Sequence, residues 1–130
     1  MTRLFLIFAA ANGFLSVALG AFAAHGLKAK VSAYNLEVLN TASEYQMTHS
    51  LALLGVSILL MQKTTAISLT VSAWAFSLGL IVFPGSLYLL VLLNMPVFGA
   101  ITPLGGAAFL VGWAAMLVYG IKSQSHGNKA

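Results

Sequence analysis

Four apolar stretches, each long enough to cross a lipid bilayer and each nearly free of charge, constrain this chain more than any other feature. They run from about Leu4 to Ala24, Thr41 to Met61, Ala66 to Leu93 and Thr102 to Ile121. A spanning helix needs about 20 mostly apolar residues. The runs are continuous rather than alternating and exceed the roughly ten-residue strands of a membrane barrel, so each reads as a helix. The expected fold is an all-α membrane protein: one transmembrane domain over residues 1–130, built as a compact bundle of four transmembrane helices. Charge agrees with this. Six Lys/Arg and two Asp/Glu in a chain that is 60% hydrophobic cannot cover the surface of a water-soluble domain.

The basic balance does not point to nucleic acid. Arg3, Lys28, Lys30, Lys63, Lys122 and Lys129 are scattered outside the apolar runs, whereas nucleic-acid binders cluster such residues on one face. With zero Cys, disulfides, thiolate metal sites and thiol redox chemistry are excluded for this chain. Met1-Thr2-Arg3, the first apolar run and Ala21-Phe22-Ala23 resemble a secretory signal. The run is longer than a usual signal core, and a permanent helix is expected.

Basic residues near helix ends set orientation. With four spans, the N-terminus, the turn between residues 61 and 66 and the C-terminal tail share one side. That side carries Arg3, Lys63, Lys122 and Lys129 against Lys28 and Lys30 on the other. Both termini are therefore expected in the cytoplasm.

The first outer loop, His25 to Asn40, carries Val31, Tyr34, Val38 and Ala42 at helical spacing, with Ser32 as a helix N-cap. This predicts a short interfacial helix running into the second span. Small residues four apart, in the rows Ser16-Gly20-Ala24, Ala75-Gly79 and Ala108-Gly112, predict close helix contacts, with the same chain or with another copy. Pro84 removes a helical donor opposite the Leu80 carbonyl and predicts a bend in the third span. Thr102-Pro103 reads as the start of the fourth. Trp74 and Trp113 fall mid-span and are expected to fill the bundle core, their indole N–H groups on serine or backbone acceptors.

The second span holds the unusual polar groups. Its strictly apolar part, Leu51 to Met61, covers only roughly 16 Å at 1.5 Å per residue, against a hydrocarbon core of about 30 Å. The polar half must therefore enter the membrane or its interface, carrying Glu44, Tyr45, Gln46 and His49. Tyr45, Gln46 and His49 share one helix sector. An ionisable group at that depth faces protein or a water-filled cavity. Asn12 and Ser16 on the first span are the expected partners of His49. The cluster reads as interhelical glue, with a proton or ligand site as the alternative. Haem or metal ligation by His25 and His49 would need matched geometry at one depth, which their positions disfavour. No metal and no cofactor is expected. Glu44, the only acid within a span, reads as an interfacial charge pairing with Lys28 or Lys30. No Asp, phosphate loop or nucleophile elbow is present, and no enzyme activity is expected.

Several stretches carry a resemblance. Gly20-Ala21-Phe22-Ala23-Ala24-His25-Gly26-Leu27-Lys28 and Thr41-Ala42-Ser43-Glu44-Tyr45-Gln46-Met47-Thr48-His49-Ser50 are two of them. Phe83-Pro84-Gly85-Ser86-Leu87-Tyr88 and Ile101-Thr102-Pro103-Leu104-Gly105-Gly106, followed by Gly112-Trp113, are the others. Together they resemble the family of small bacterial inner-membrane proteins typified by YgdD and YwdK, a domain-of-unknown-function family with animal relatives. The resemblance covers nearly the whole chain. It implies four spans in the inner membrane and no established activity. It also suggests that His25, Gly26, Tyr45, Gln46, His49, Ser86, Tyr88, Thr102, Pro103 and Gly105 belong to one site, which the threading above places in the outer half of the bundle.

Three functions compete. The first is a structural or accessory membrane protein that packs as a homo-oligomer or on a larger membrane complex, with membrane lipid around it. The second is a small oligomeric transporter or channel for a proton, ion or small solute. The third is a lipid- or quinone-binding helper. Transport favours a row of polar groups from side to side, but the inner halves of spans two and three offer only Ser57, Ser72 and Ser77, which shifts weight to the first.

The threading predicts the outcome of a reporter fusion. Alkaline phosphatase fused after residue 130 should be inactive and a fluorescent protein at the same place bright, as the Lys/Arg distribution requires. An active phosphatase would place the tail outside.

Overall fold

The computed structural model describes residues 1–62 and 66–127, with side chains as far as Ser123. Lys63 and Lys129, two of the charges used in the threading argument, lie outside the described residues. Those described form helices and no strands. Helix α1 (Thr2–Phe22) runs on into a π-helical turn (Ala23–Leu27). It is followed by α2 (Ala33–Met61), α3 (Ile67–Leu92), a 3₁₀ turn (Pro96–Ala100) and α4 (Thr102–Gly127). Three segments, Thr2–Leu27, Ile67–Leu92 and Pro96–Ser123, are long and apolar enough to cross a membrane. Helix α2 falls outside that set because its first half is polar.

Ser32 does cap a helix: its hydroxyl accepts the Asn35 N–H at 3.1 Å. That helix covers residues 33–40, where a short helix running into the second span was expected. It continues unbroken to Met61. No Gly or Pro lies between residues 33 and 54 to interrupt it. One buried stripe, Leu39, Ala42, Gln46, His49, Leu53 and Val56, keeps helical spacing along its length.

Helix α3 is likewise a single helix through the fully buried Pro84. It ends in a Schellman arrangement, with the Met95 N–H on the Leu90 carbonyl at 3.1 Å and the Asn94 N–H on Val91 at 3.3 Å. Asn94 takes the left-handed conformation this requires, φ 51°. Asn tolerates that region better than most residues. The chain then turns through Pro96–Ala100 into α4. Thr102 does not act as a simple cap there: its hydroxyl faces Ser86 of α3.

Consecutive helices are neighbours, and α3 is the most enclosed of the three apolar ones. Contacts fall at successive levels. Ala23, Leu39 and Val91 meet at one end. Asn12, Gln46 and Tyr88 meet below them. Phe5, Ala9, Leu53, Val56, Ala73 and Phe76 form the main apolar core. This order makes α1 parallel to α3 and antiparallel to α2.

Helix α4 lies along α3 through a set of notches. A Cβ on Gly112 would stand 2.6 Å from the Phe76 ring, and one on Gly79 would run into the Phe109 ring. One on Gly105 would run into the Phe83 backbone. Phenylalanine from each helix thus fills a glycine gap in the other. The rows containing Gly79 and Gly112 serve contacts within this chain. The close approach also lets the Ser72 hydroxyl donate to the Gly112 carbonyl at 2.9 Å.

Gly112→Ala should therefore lower the melting temperature of the purified protein, by about 1–3 kcal/mol of overpacking, because Phe76 is fully buried and has nowhere to retreat. Gly55→Ala, where nothing lies within 4 Å, should leave it unchanged or raise it slightly. Equal melting temperatures for Gly112→Ala and the parent would contradict the notch.

Candidate functional site

The polar residues of α2 reach three other helices. Gln46 is buried and its amide bridges two of them. Its Nε2 donates to Asn12 Oδ1 on α1 at 3.0 Å, and its Oε1 accepts from the Tyr88 hydroxyl on α3 at 2.8 Å. Asn12 passes the chain on, donating from Nδ2 to the Phe8 carbonyl at 3.0 Å. Every polar atom of this line points one way, from Tyr88 to the α1 backbone, which sets the orientation of both amides.

His49, one turn further along α2, was expected to meet α1 at Asn12 or Ser16. Gln46 occupies Asn12 instead, and Ser16 donates to the Gly13 carbonyl of its own helix at 2.8 Å. His49 turns toward α4. Its Nδ1–H donates to the Tyr45 carbonyl at 2.8 Å, leaving Nε2 to accept the Trp113 indole N–H at 3.2 Å. This is the neutral tautomer with both nitrogens engaged. The ring is 6% exposed. It lies flat on Phe109, centroids 3.5 Å apart and planes 7° from parallel. Phe109 can lie there because the Gly79 notch receives it from behind.

Tyr45 stacks on Phe83 at 4.6 Å and leans on His49 at 5.7 Å. It is 44% exposed. Neither Trp fills the core as expected. Trp113 is 45% exposed and Trp74, edge-on to Phe5, is 56% exposed. Small glycine gaps fill the helix interface with Phe76 and Phe109, so the larger indoles are left outside it.

Of the residues expected to form one cluster, Asn12, Gln46 and Tyr88 form one hydrogen-bonded line. Tyr45 and His49 form an aromatic stack beside it. Ser86 and Thr102 form a separate pair, 2.7 Å apart, joining α3 to α4. Ser16 serves its own helix, and His25 is exposed on the π-helical turn, outside these hydrogen bonds. Sequence spacing missed Trp113, Phe109 and Ser72, since nothing along the chain says that residue 113 meets residue 49. Among the described residues, no buried side-chain nitrogen or oxygen lacks a partner, and no three metal-ligating groups gather.

Between α2 and α4 the surface opens into a groove of ≈ 560 Å³, lined by Tyr45, His49, Phe83, Gly106, Phe109 and Trp113. A second hollow beside it shares Tyr45, His49 and Trp113 and adds Glu44 and Thr48. Glu44 was expected to pair with Lys28 or Lys30. Among the described residues it makes no ion pair. One residue on from Ser43, which faces Gly20 of α1, it points instead to the exposed face of α2.

A family model described as "Protein of unknown function (DUF423)" matches residues 19–106. The chain is 43% identical over 126 residues to the UPF0382 inner membrane protein YgdD of Escherichia coli (strain K12), covering 97% of this chain and 95% of that one. It is 40% identical over 120 residues to the UPF0382 membrane protein YwdK of Bacillus subtilis (strain 168), covering 92% and 98%. It is 43% identical over 116 residues to the UPF0382 membrane protein SAB0533 of Staphylococcus aureus (strain bovine RF122 / ET3-1), covering 89% and 93%. No solved structure matches.

The hydrogen-bond line predicts a rank order of stabilities. Gln46→Leu strands both Asn12 and Tyr88 and should cost about 1–3 kcal/mol. His49→Leu strands the Trp113 N–H and should cost about 1 kcal/mol. Glu44→Gln should change little, since the side chain is exposed and unbonded. Thermal melts in detergent that rank Glu44→Gln as the most damaging would contradict this assignment.

Proposed function

The chain belongs to the DUF423 family of membrane proteins, and from that premise we propose a non-catalytic, accessory role: a four-span protein of the bacterial inner membrane that works within an oligomer or a larger membrane complex. The observation that carries this reading is the use made of the buried polar groups. Of these, Ser16, Ser50, Ser57 and Ser77 bond carbonyls of their own helices, and Asn12, Gln46, His49, Ser72 and Ser86 are engaged with partners on other helices. Such bonds hold membrane helices in register, where apolar burial alone provides no drive.

In this reading α2 is the fourth span. At 1.5 Å per residue, its 29 residues make a rod of roughly 43 Å, longer than the hydrocarbon core. Gln46 and His49 enter the bilayer already hydrogen-bonded, which removes most of the cost of putting them there. Its first two turns extend past the hydrocarbon into the interface, the place expected for a short interfacial helix. An even number of spans puts both termini on one side, and the Lys/Arg distribution makes that side the cytoplasm. A transport role would need buried polar groups free to meet a solute, and here they meet one another.

The test is the mass of the full chain purified in mild detergent, with mass spectrometry of co-purifying proteins. A mass above that of the monomer, or a partner in fixed ratio, is the expected result. A bare monomer at all concentrations, with no partner recovered, would remove the assembly role.

A further inference from the structure

The groove between α2 and α4 is unlike the rest of the membrane-facing surface. Beside it α2 and α4 present Leu51, Ile58 and Leu104, all exposed, as suits lipid tails. In the hollow that adjoins it at Tyr45, His49 and Trp113 stand one carboxylate, Glu44, and two hydroxyls, Tyr45 and Thr48. None of the three makes a side-chain hydrogen bond or ion pair among the described residues. A carboxylate bared toward lipid is expensive unless a counter-charge meets it.

We infer that this groove binds a phospholipid with an ammonium head group, the ammonium on Glu44, the phosphate on the Tyr45 and Thr48 hydroxyls and an acyl chain along Phe109 and Leu110. The levels of the groups match the order of such a lipid. Tyr45 stacks on Phe83, whose backbone lies against Gly105, so Glu44 is level with the first turn of α4. On the four-span reading, on which this placement rests, that is about one helical turn inside the outer edge of the hydrocarbon, within reach of a head group. Thr48 follows one helical turn deeper, and Phe109 and Leu110 deeper still. The chemistry matches as well. A carboxylate accepts N–H bonds from a primary ammonium. Neutral hydroxyls suit a phosphate whose charge the ammonium already balances.

Room for the lipid comes from Gly106. A Cβ there would stand 3.8 Å from Phe83, an ordinary contact, so tight packing does not demand glycine at this position. Its absent side chain opens the groove wall. This differs from Gly105, one residue earlier, where the Phe83 backbone leaves no space.

The chain has two tryptophans, and Trp113 lies in the groove while Trp74 lies against Phe5. Trp74→Phe therefore leaves Trp113 as the single tryptophan, excited selectively above the tyrosine absorption. The protein is placed in vesicles of equal parts phosphatidylethanolamine and phosphatidylglycerol, with bromines on the acyl chains of one or the other. Quenching of Trp113 should favour brominated phosphatidylethanolamine, with a relative occupancy about two- to fivefold higher. Glu44→Gln should abolish the preference, and so should Gly106→Leu, which fills the groove and keeps the carboxylate. Equal quenching by the two lipids in the parent, or a preference that survives Glu44→Gln, overturns the inference. Equal quenching together with a mass in detergent that falls on Glu44→Gln would assign the carboxylate to a cationic side chain of a protein partner, and overturns it too. The assembly role stands or falls on the mass of the parent protein, independently of these lipid arms.

Discussion

The side-chain amide of Gln46 holds the first three helices in one register. In water, helices associate because their apolar faces leave solvent, but in lipid the tails are as apolar as leucine. What remains is close packing and the hydrogen bond. Gln46 has a donor and an acceptor on opposite sides of one planar group, and it spends one on α1 and the other on α3. Sliding α2 by one turn past either neighbour would strand Asn12 or Tyr88 without a partner. The apolar core of Leu53, Val56 and Phe76 lies further along the same helices and inherits the alignment.

Helix α4 is held by another device, and the groove follows from it. Phe76 and Phe109 enter notches at Gly112 and Gly79, which brings α3 and α4 close. The same notch at Gly79 sets Phe109 flat on His49, and Trp113 then reaches His49 from one turn on. Helix α4 is thereby tied to α3 along its length but to α2 mainly at His49, through the Phe109 stack and the indole–imidazole bond. The space left between α2 and α4 is the groove and its adjoining hollow, which expose Tyr45, Trp113 and Glu44. Stability of the bundle and shape of the site thus rest on the same glycines.

Much of this could be read along the chain. Long apolar runs dictate helices, because a backbone in lipid has to satisfy its own hydrogen bonds. The helical positions of the four runs, the cap at Ser32, the role of small residues at Gly79 and Gly112, and the inward placement of Gln46 and His49 follow from that rule and from helical spacing. Spacing also says which residues share a face of one helix. It says nothing about which face of another helix will meet it, or at what height.

That second kind of fact was decided by tertiary structure. Asn12 was in reach of either Gln46 or His49, and the rotation of α2 against α1 gave it to Gln46. His49 went to Trp113 because glycine notches draw α4 to the side of α3 that faces it. The tryptophans lie outside the core because the gaps admit a phenyl ring. Glu44 parted from Lys28 and Lys30 because Ser43, its neighbour, is the residue turned toward α1. The chain by itself determined a set of membrane-length helices and the few polar groups they carry inward. Only their packing decided which polar groups are consumed as fastenings and which are left facing the lipid.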